Sequence, residues 1–456
     1  MDNAHPIWRS AAMRDARARS DVGAIVRLAR RAADITLAEV GERVGYTAAS
    51  LSRMERGKQP MRDVLLLQQL AACLDIPPQL LGLAPQRRAA TPDHPGTTRV
   101  APQALFGEEG DDPVRRRELL ATLAAATAGT VLGPSADAHA VVKPNLSGLE
   151  DMLLHRSHGQ VLTRDPTPAA VTAAVDASRQ GFSACRYDAL ARALPARIAL
   201  AQALGTDGHP EHAATAVADL YNITTRLCIK LGEDGLAAVT ADRALTAALS
   251  GADALTVAES HRMVSSAWRR QGHYARATDV AVTAARQLAV DRTADATERL
   301  SVQGNLYATA AYTAAKHGDR HTAHALIAEA QATAGQLGHD ALLRGNIFGP
   351  SQVLLHQVSI SHLLGDAGQA VEHARRIDAA ALPTTERQAR YWIDVARAFD
   401  QWSKPDRCYR ALLAAEQAAP QEVRRESVRT MTVGLMRHDR ALPGVRAFAR
   451  RVGATA

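Results

Sequence analysis

Aromatic side chains are scarce, at 4 % of 456 residues. Strands favour aromatic and β-branched residues, and long alternating runs of them are missing here. Alanine, the best helix former, is abundant instead. Together these exclude a sheet-based chain and predict an all-α protein. Cysteine is equally sparse: Cys73, Cys185, Cys228 and Cys408 stand far apart and form no CxxC pair. That pattern excludes a dense disulfide framework and predicts reduced thiols in a cytoplasmic protein. No apolar run approaches the roughly 18 residues of a membrane span, and the N-terminus lacks an apolar signal core, so no membrane partner is expected. The phosphate-cradling GxxxxGK[ST], a GxGxxG after a strand, HExxH and GxSxG are all missing. No catalytic residues, no cofactor and no enzymatic activity are therefore expected. Among 17 histidines the densest group is His317, His321 and His324. Gly318-Asp319 breaks the helix inside it, and His155 and His158 lack ligand partners, so no metal site is predicted.

What the chain does contain is length and an uneven charge. A chain of 456 residues exceeds one ordinary core and predicts two or more domains. Of the net charge of +7, residues 1–90 hold 14 Lys+Arg against 9 Asp+Glu, leaving a surplus of only two for the other 366 residues. A small basic unit beside a nearly neutral large one suggests a polyanion partner for the small one.

Residues 1–20 are polar and arginine-bearing and read as a frayed helix or N-terminal arm. A compact helical unit follows over residues 21–83. Residues 84–147 read as a linker rich in Pro, Gly and charge, with a connecting helix at about 114–132. That helix opens with Arg115-Arg116-Arg117-Glu118-Leu119-Leu120 and looks like a twin-arginine export signal. Its late position and short, Ala/Thr-rich apolar stretch favour a helix that connects domains or packs on a dimer partner. From residue 148 to 456 the chain reads as nearly continuous amphipathic helix.

In the compact unit, Val22, Ile25, Val26 and Ala29 share one helix face. Thr36-Leu37-Ala38-Glu39 is a capping box that opens a second helix, which ends at Val44-Gly45-Tyr46. Thr47 can cap a third helix running to about Arg56, with Leu51 and Met54 facing inward and Gly57 stopping it. Val64, Leu67, Ala71 and Leu74 mark a fourth. Ile76-Pro77-Pro78-Gln79-Leu80-Leu81 gives a short fifth, with proline in its first turn.

Five short helices with these caps and breakers resemble the Xre/Cro-type, lambda-repressor-like helix-turn-helix family of transcriptional regulators. The most specific stretches are TLAEVGERVGYTAASLSRMERGKQP and LAACLDIPPQLL. The resemblance implies that the third helix enters the major groove of double-stranded DNA. It places base-facing positions at Thr47, Ala48, Ala49, Ser52 and Arg53. The best-known members carry long amides where Ala48 and Ala49 stand. Alanine can only touch a thymine methyl, which leaves Arg53, as a bidentate partner of guanine, the main base reader. Phosphate-gripping positions fall on Thr36, Arg56 and Lys58, and Ser50 is within reach of phosphate or base. Leu37 replaces the family's usual glutamine, so one phosphate contact is lost. The resemblance pairs Arg30 with Glu55 as an internal ion pair supporting the third helix. It also implies a homodimer reading two half-sites.

The long region repeats itself. Turn signals recur at LGEDGLA, QGHYARA, HGDRHTA, LGDAGQA and SKPDRCY, with Gly232, Gly272, Gly318 and Gly365 spaced 40, 46 and 47 residues apart. Two helices per unit at this period predict an α-solenoid of tetratricopeptide-like helix pairs, longer than the usual unit of roughly 34 residues. A helix-turn-helix domain joined to such repeats resembles peptide-sensing regulators of Gram-positive bacteria and a large actinobacterial set. In both, the solenoid's inner surface is the sensor. Counting back from the turn glycines puts Asn222, Arg226, Arg262, Arg269, Asn305 and Tyr312 on that surface as candidate ligand contacts, together with Asp219, Glu259, Ser266, Gln352 and His356. The ligand could be a peptide, a small molecule or a protein. The expectation is a dimeric, sequence-specific transcriptional regulator under ligand control. The competing reading is a protein-interaction adaptor whose helix-turn-helix only anchors it.

Overall fold

The computed structural model describes residues 5–19, 21–44, 46–57, 61, 64–83, 144–154, 165–251 and 253–454. The chain divides into two compact units: the first joins residues up to Gln86 to Asn145–His356, and the second contains Gln357 onward. The connecting helix expected at 114–132 lies outside the described residues, as does Lys58.

The N-terminal part of the first unit is built from short helices. A 3-10 turn, Pro6–Arg9, leads to α1 (Ala11–Ala18). Then come α2 (Val22–Ala32), α3 (Leu37–Val44), α4 (Ala48–Glu55), α5 (Val64–Cys73) and a closing 3-10 turn at Pro78–Leu81. Asp21 caps α2 by accepting from the Ala24 amide at 2.9 Å. The capping box opens α3: the Thr36 amide donates to Glu39 Oε2 at 2.8 Å, and the Glu39 amide donates to Thr36 Oγ1 at 3.3 Å. The core gathers Ile25, Val26, Val40, Leu51, Leu70 and Leu74.

The segment read as a frayed helix or arm is helix, and it is packed: Trp8, Met13 and Ala16 are buried in the same core as α2 and α5. Met13 and Ala16 lie three apart on one helix face, but Arg9, Arg14, Arg17 and Arg19 around them give the segment a polar composition. Two glycines set the spacing of the helices. A Cβ on Gly23 would collide with the Met54 carbonyl oxygen, and one on Gly41 would collide with that of Tyr46. Bare backbone at these points lets α2 approach α4, and α3 approach the turn before α4.

The remainder of the first unit is helical pairs. After α6 (Ser147–Leu154) come α7 (Pro168–Ser183) with α8 (Tyr187–Thr206), and α9 (Pro210–Leu231) with α10 (Asp234–Gly251). Next are α11 (Ala254–Arg270) with α12 (Tyr274–Val290), and α13 (Ala296–His317) with α14 (Arg320–Leu337). Partners pack on each other, and the first helices α7, α9, α11 and α13 also touch in sequence, forming one inner row. Gly232, Gly272 and Gly318 all take left-handed φ, at 82°, 84° and 85°, which a residue with a Cβ rarely adopts. The turns that gave the repeat its period are therefore the turns of the fold.

Among the described residues the helices are joined by strand at one place. β1 (Ala341–Leu343) and β2 (Asn346–Phe348) form an antiparallel hairpin with Leu343 opposite Asn346. Arg344 and Gly345 make the turn, both with positive φ, at 49° and 73°. Three-residue strands are too short to show a period, so the hairpin escaped the sequence pattern.

The division between units falls within α15 (Pro350–Leu363). The second unit continues with α16 (Ala367–Arg375), α17 (Thr385–Gln401), α18 (Pro405–Ala418), α19 (Glu426–Leu435) and α20 (Val445–Val452). Tyr391, Phe399 and Phe448 fill its core. Asp394, also buried there, accepts from Arg390 Nε at 3.0 Å, Arg397 Nη1 at 2.8 Å and the Ser359 hydroxyl at 2.5 Å. Among the described residues no helix is long and apolar enough to cross a membrane.

Candidate functional site

The surface predicted to meet nucleic acid centres on α4. Thr47 caps it, its Oγ1 accepting from the Ser50 amide at 3.2 Å. With Leu51 and Met54 buried beneath, Thr47, Ala48, Ala49, Arg53 and Arg56 are exposed, and Ser50 and Ser52 are half-buried. Arg53 reaches back one turn, Nη2 donating to Ser50 Oγ at 3.2 Å. This holds the guanidinium over the outer face of the helix while leaving its other donors available. Arg56 Nε donates to the Ser52 carbonyl at 3.1 Å, and Gly57 beyond it takes φ 71°.

Thr36 sits differently. Its hydroxyl donates to Glu39 Oε2 at 2.8 Å, so a carboxylate stands beside the position the resemblance gives to phosphate. Hydrogen bonds from the Thr36 amide and hydroxyl hold the Glu39 carboxyl below its usual value, keeping it charged. A negative group here opposes a phosphate contact.

The support beneath α4 is ionic. Arg30 Nε and Nη2 donate to Glu55 Oε1 and Oε2 at 2.7 and 2.9 Å, and Nη1 donates to the Ile35 carbonyl at 2.9 Å. Arg30 is 12 % exposed and Glu55 5 %. The Glu55 hydrogen bond raises the Arg30 pKa against the opposing effect of burial. The pair ties the end of α2 to the end of α4 and fixes the angle at which α4 is presented.

The six candidate ligand residues fall into two groups. Arg226, Arg262 and Asn305 meet around the hairpin, and Asn222 lies one turn before Arg226. Arg226 Nη1 and Arg262 Nη2 donate to Asn346 Oδ1 at 3.3 and 3.4 Å, and Asn305 Nδ2 donates to the Ile347 carbonyl at 3.3 Å. Arg226 also lies 4.2 Å over the Phe182 ring. Asn222 Nδ2 donates to Ser260 Oγ at 3.0 Å, while its Oδ1 is buried with no hydrogen-bond partner. Arg269 and Tyr312 form the second group, the guanidinium 5.0 Å over the ring and bonded to Thr313 Oγ1 at 3.3 Å.

Charges alternate across the inner row. Arg179 Nη2 donates to Asp219 Oδ2 at 2.7 Å, Arg262 Nε to Glu259 Oε2 at 2.8 Å, and Arg344 Nη2 to Asp253 Oδ2 at 2.5 Å. Burial alone would raise the Glu259 pKa, but Arg262 and Arg226 outweigh it and hold the carboxyl below its usual value. Asp219 goes the other way: burial raises its pKa and Arg179 offsets only part of the rise. A cavity of about 290 Å³ opens here, with Arg179, Glu211, His212 and Asp219 in its wall. The sequence reading missed the hairpin and Arg179. A signal existed in Arg344-Gly345, a glycine-bearing dipeptide between Ala-Leu-Leu and Asn-Ile-Phe, but arginine is an uncommon first residue for such a turn.

No curated protein matches this chain. Among solved structures, PlcR of Bacillus thuringiensis, in complex with the peptide PapR7 and DNA, is similar at 11 % identity. The likeness covers 84 % of this chain and 98 % of that one, at a TM-score of 0.33. The family model of the helix-turn-helix domain matches residues 21–83, and that segment therefore belongs to the helix-turn-helix domain family.

Proposed function

We propose that this chain is a sequence-specific DNA-binding transcriptional regulator, acting as a cytoplasmic homodimer, whose activity is set by a peptide, small molecule or protein held on the inner row of helices. The observation that carries this reading is α4: a capped helix in a helix-turn-helix domain, presenting Thr47, Ala48, Ala49 and Arg53 outward above a buried ionic brace. Arg53 reads a guanine; Ala48 and Ala49 contribute only apolar contact. Ser50, Ser52, Arg56 and Lys58 bind phosphate or an adjacent base edge. Thr36 contributes less, because Glu39 occupies its hydroxyl. Two copies are needed, since one short helix reads few base pairs.

The test is selection of bound fragments from genomic DNA, followed by affinity measurements on the winning site and on random DNA. Arg53→Ala should weaken the selected site by about 1–3 kcal/mol while leaving random DNA nearly unchanged. Equal loss on both would remove its base-reading role. Failure to enrich any fragment would favour the adaptor reading.

A further inference from the structure

The inner row already has an occupant. The hairpin β1–β2 lies on Arg226, Arg262 and Asn305, three of the six residues expected to bind ligand. Phe348 is fully buried against α13 at Gly304, where a Cβ would collide with its ring. Asn305 holds the Ile347 carbonyl, and Arg226 and Arg262 hold the Asn346 side chain. Glycine at 304 thus makes a seat for an aromatic ring.

Several features mark the hairpin as detachable. A two-stranded hairpin has little stability of its own. Arg344, a residue with a Cβ, is held at φ 49°, which costs free energy. The groove keeps it there, through Asp253 and through Thr256 Oγ1 at 2.6 Å. Gly338 and Gly349, both at positive φ, flank the segment and can absorb a change in backbone direction. Two buried polar atoms of the inner row, Asn222 Oδ1 and Ser301 Oγ, have no hydrogen-bond partner, and each stands one turn before a residue that grips the hairpin, Arg226 or Asn305.

The other strand faces the DNA-binding domain. Leu342 packs on the helix-turn-helix core, and its Cδ2 would lie 3.5 Å from a Cβ placed on Gly82. One small hairpin therefore touches α13 through both strands and the helix-turn-helix core through Leu342 of β1.

We propose that β1–β2 is an internal occupant of a peptide-binding groove. An extended peptide with a short amide side chain two residues ahead of an aromatic one takes the same seats, ejects the hairpin, and withdraws Leu342 from the helix-turn-helix domain. This rests on the reading of the inner row as the regulatory surface and names its ligand class and its means of control.

The experiment uses the full chain and a fluorescein-labelled synthetic peptide of sequence ALLRGNIF, followed by polarisation. Phe348→Ala empties the aromatic seat without filling it, so this variant should bind the peptide at least tenfold more tightly than the parent chain. Adding Gly304→Ala to it should abolish the gain, and the peptide ALLRGNIA should bind neither. Hydrogen exchange of the unaltered chain needs no variant to fold: residues 341–348 should exchange at least tenfold faster than α13, and adding the peptide should speed exchange across residues 78–83. Hairpin protection equal to that of α13, or equal peptide binding by all three chains, overturns the proposal. Neither measurement involves DNA. Normal operator binding with no peptide binding would sink the hairpin proposal alone. Peptide capture by a chain that enriches no DNA would sink the regulator reading and leave the groove standing.

Discussion

Arg30→Met should loosen the helix-turn-helix domain by an amount the geometry sets. The substitution deletes both bonds to Glu55, at 2.7 and 2.9 Å, and the bond to the Ile35 carbonyl. It leaves a carboxylate 5 % exposed with its partner gone. Breaking one side of a fully buried ion pair costs about 3–5 kcal/mol. Arg30 retains 12 % exposure, so some water can reach the orphaned group. The expected loss is therefore about 2–4 kcal/mol, or roughly a 30- to 900-fold rise in opening. Native-state hydrogen exchange on the full chain reads this directly in peptides from α2 and α4, with α17 of the second unit as internal standard. A double variant, Arg30→Met with Glu55→Leu, should recover most of the loss, because no charge is left uncompensated. Acceleration below about threefold, under a tenth of the effect expected here, would refute the reasoning. So would a double variant as labile as the single one, which would mean that packing rather than the stranded carboxylate governs.

Gly23→Ala places a methyl against the Met54 carbonyl and should cost about 1–3 kcal/mol by forcing α2 from α4. Gly434→Ala, in a helix where the added Cβ meets nothing within 4 Å, should stabilise by about 0.5–1 kcal/mol; thermal melting of both variants checks the contrast. In the second unit, burial alone would raise the Asp394 pKa, but Arg390, Arg397 and the Ser359 hydroxyl hold it well below the carboxylate range. Its stabilisation is then complete above about pH 4 and lost as pH falls through the lowered folded-state value. Asp394→Asn should destabilise this unit by about 1–3 kcal/mol at pH 7, because the arginines left behind keep access to water. The gap should close in acid, and a gap unchanged at low pH in urea titrations followed by tryptophan fluorescence would contradict the assignment.

What could be read from the sequence was local. The Thr36–Glu39 box, the Thr47 cap and the buried faces of α2 and α4 each depend on residues three or four apart, and each is present in the structure. The turn glycines were legible for the same reason. Features that depend on residues distant in sequence were not. Gly304 is unremarkable in its own helix and acquires its meaning only from Phe348, 44 positions later. Gly23 answers to Met54 in the same way. Met13 and Ala16 were readable in principle, but the arginines around them dominated the composition. Asn222, Arg226, Arg262 and Asn305 were placed on the inner row by period alone; that a segment of the same chain lies on the last three could not be counted from any spacing.

The interfaces between helix pairs rest largely on alanine. On α12 the buried positions include Ala277, Ala281, Ala284 and Ala285, and on α13 Ala310, Ala311, Ala314 and Ala315. Each supplies a single methyl, worth about 0.8 kcal/mol on burial, and none projects far enough to interlock with the facing helix. Such surfaces have shallow corrugation. They allow close approach, and between the larger anchors Leu255, Leu288, Val302 and Leu306 they oppose sliding weakly, so any shear is expected to be shared by many joints, each by a little. Mechanical compliance of this kind needs no single pivot: a small displacement at one pair is shared by its neighbours, and the methyl-lined joints set how far it travels.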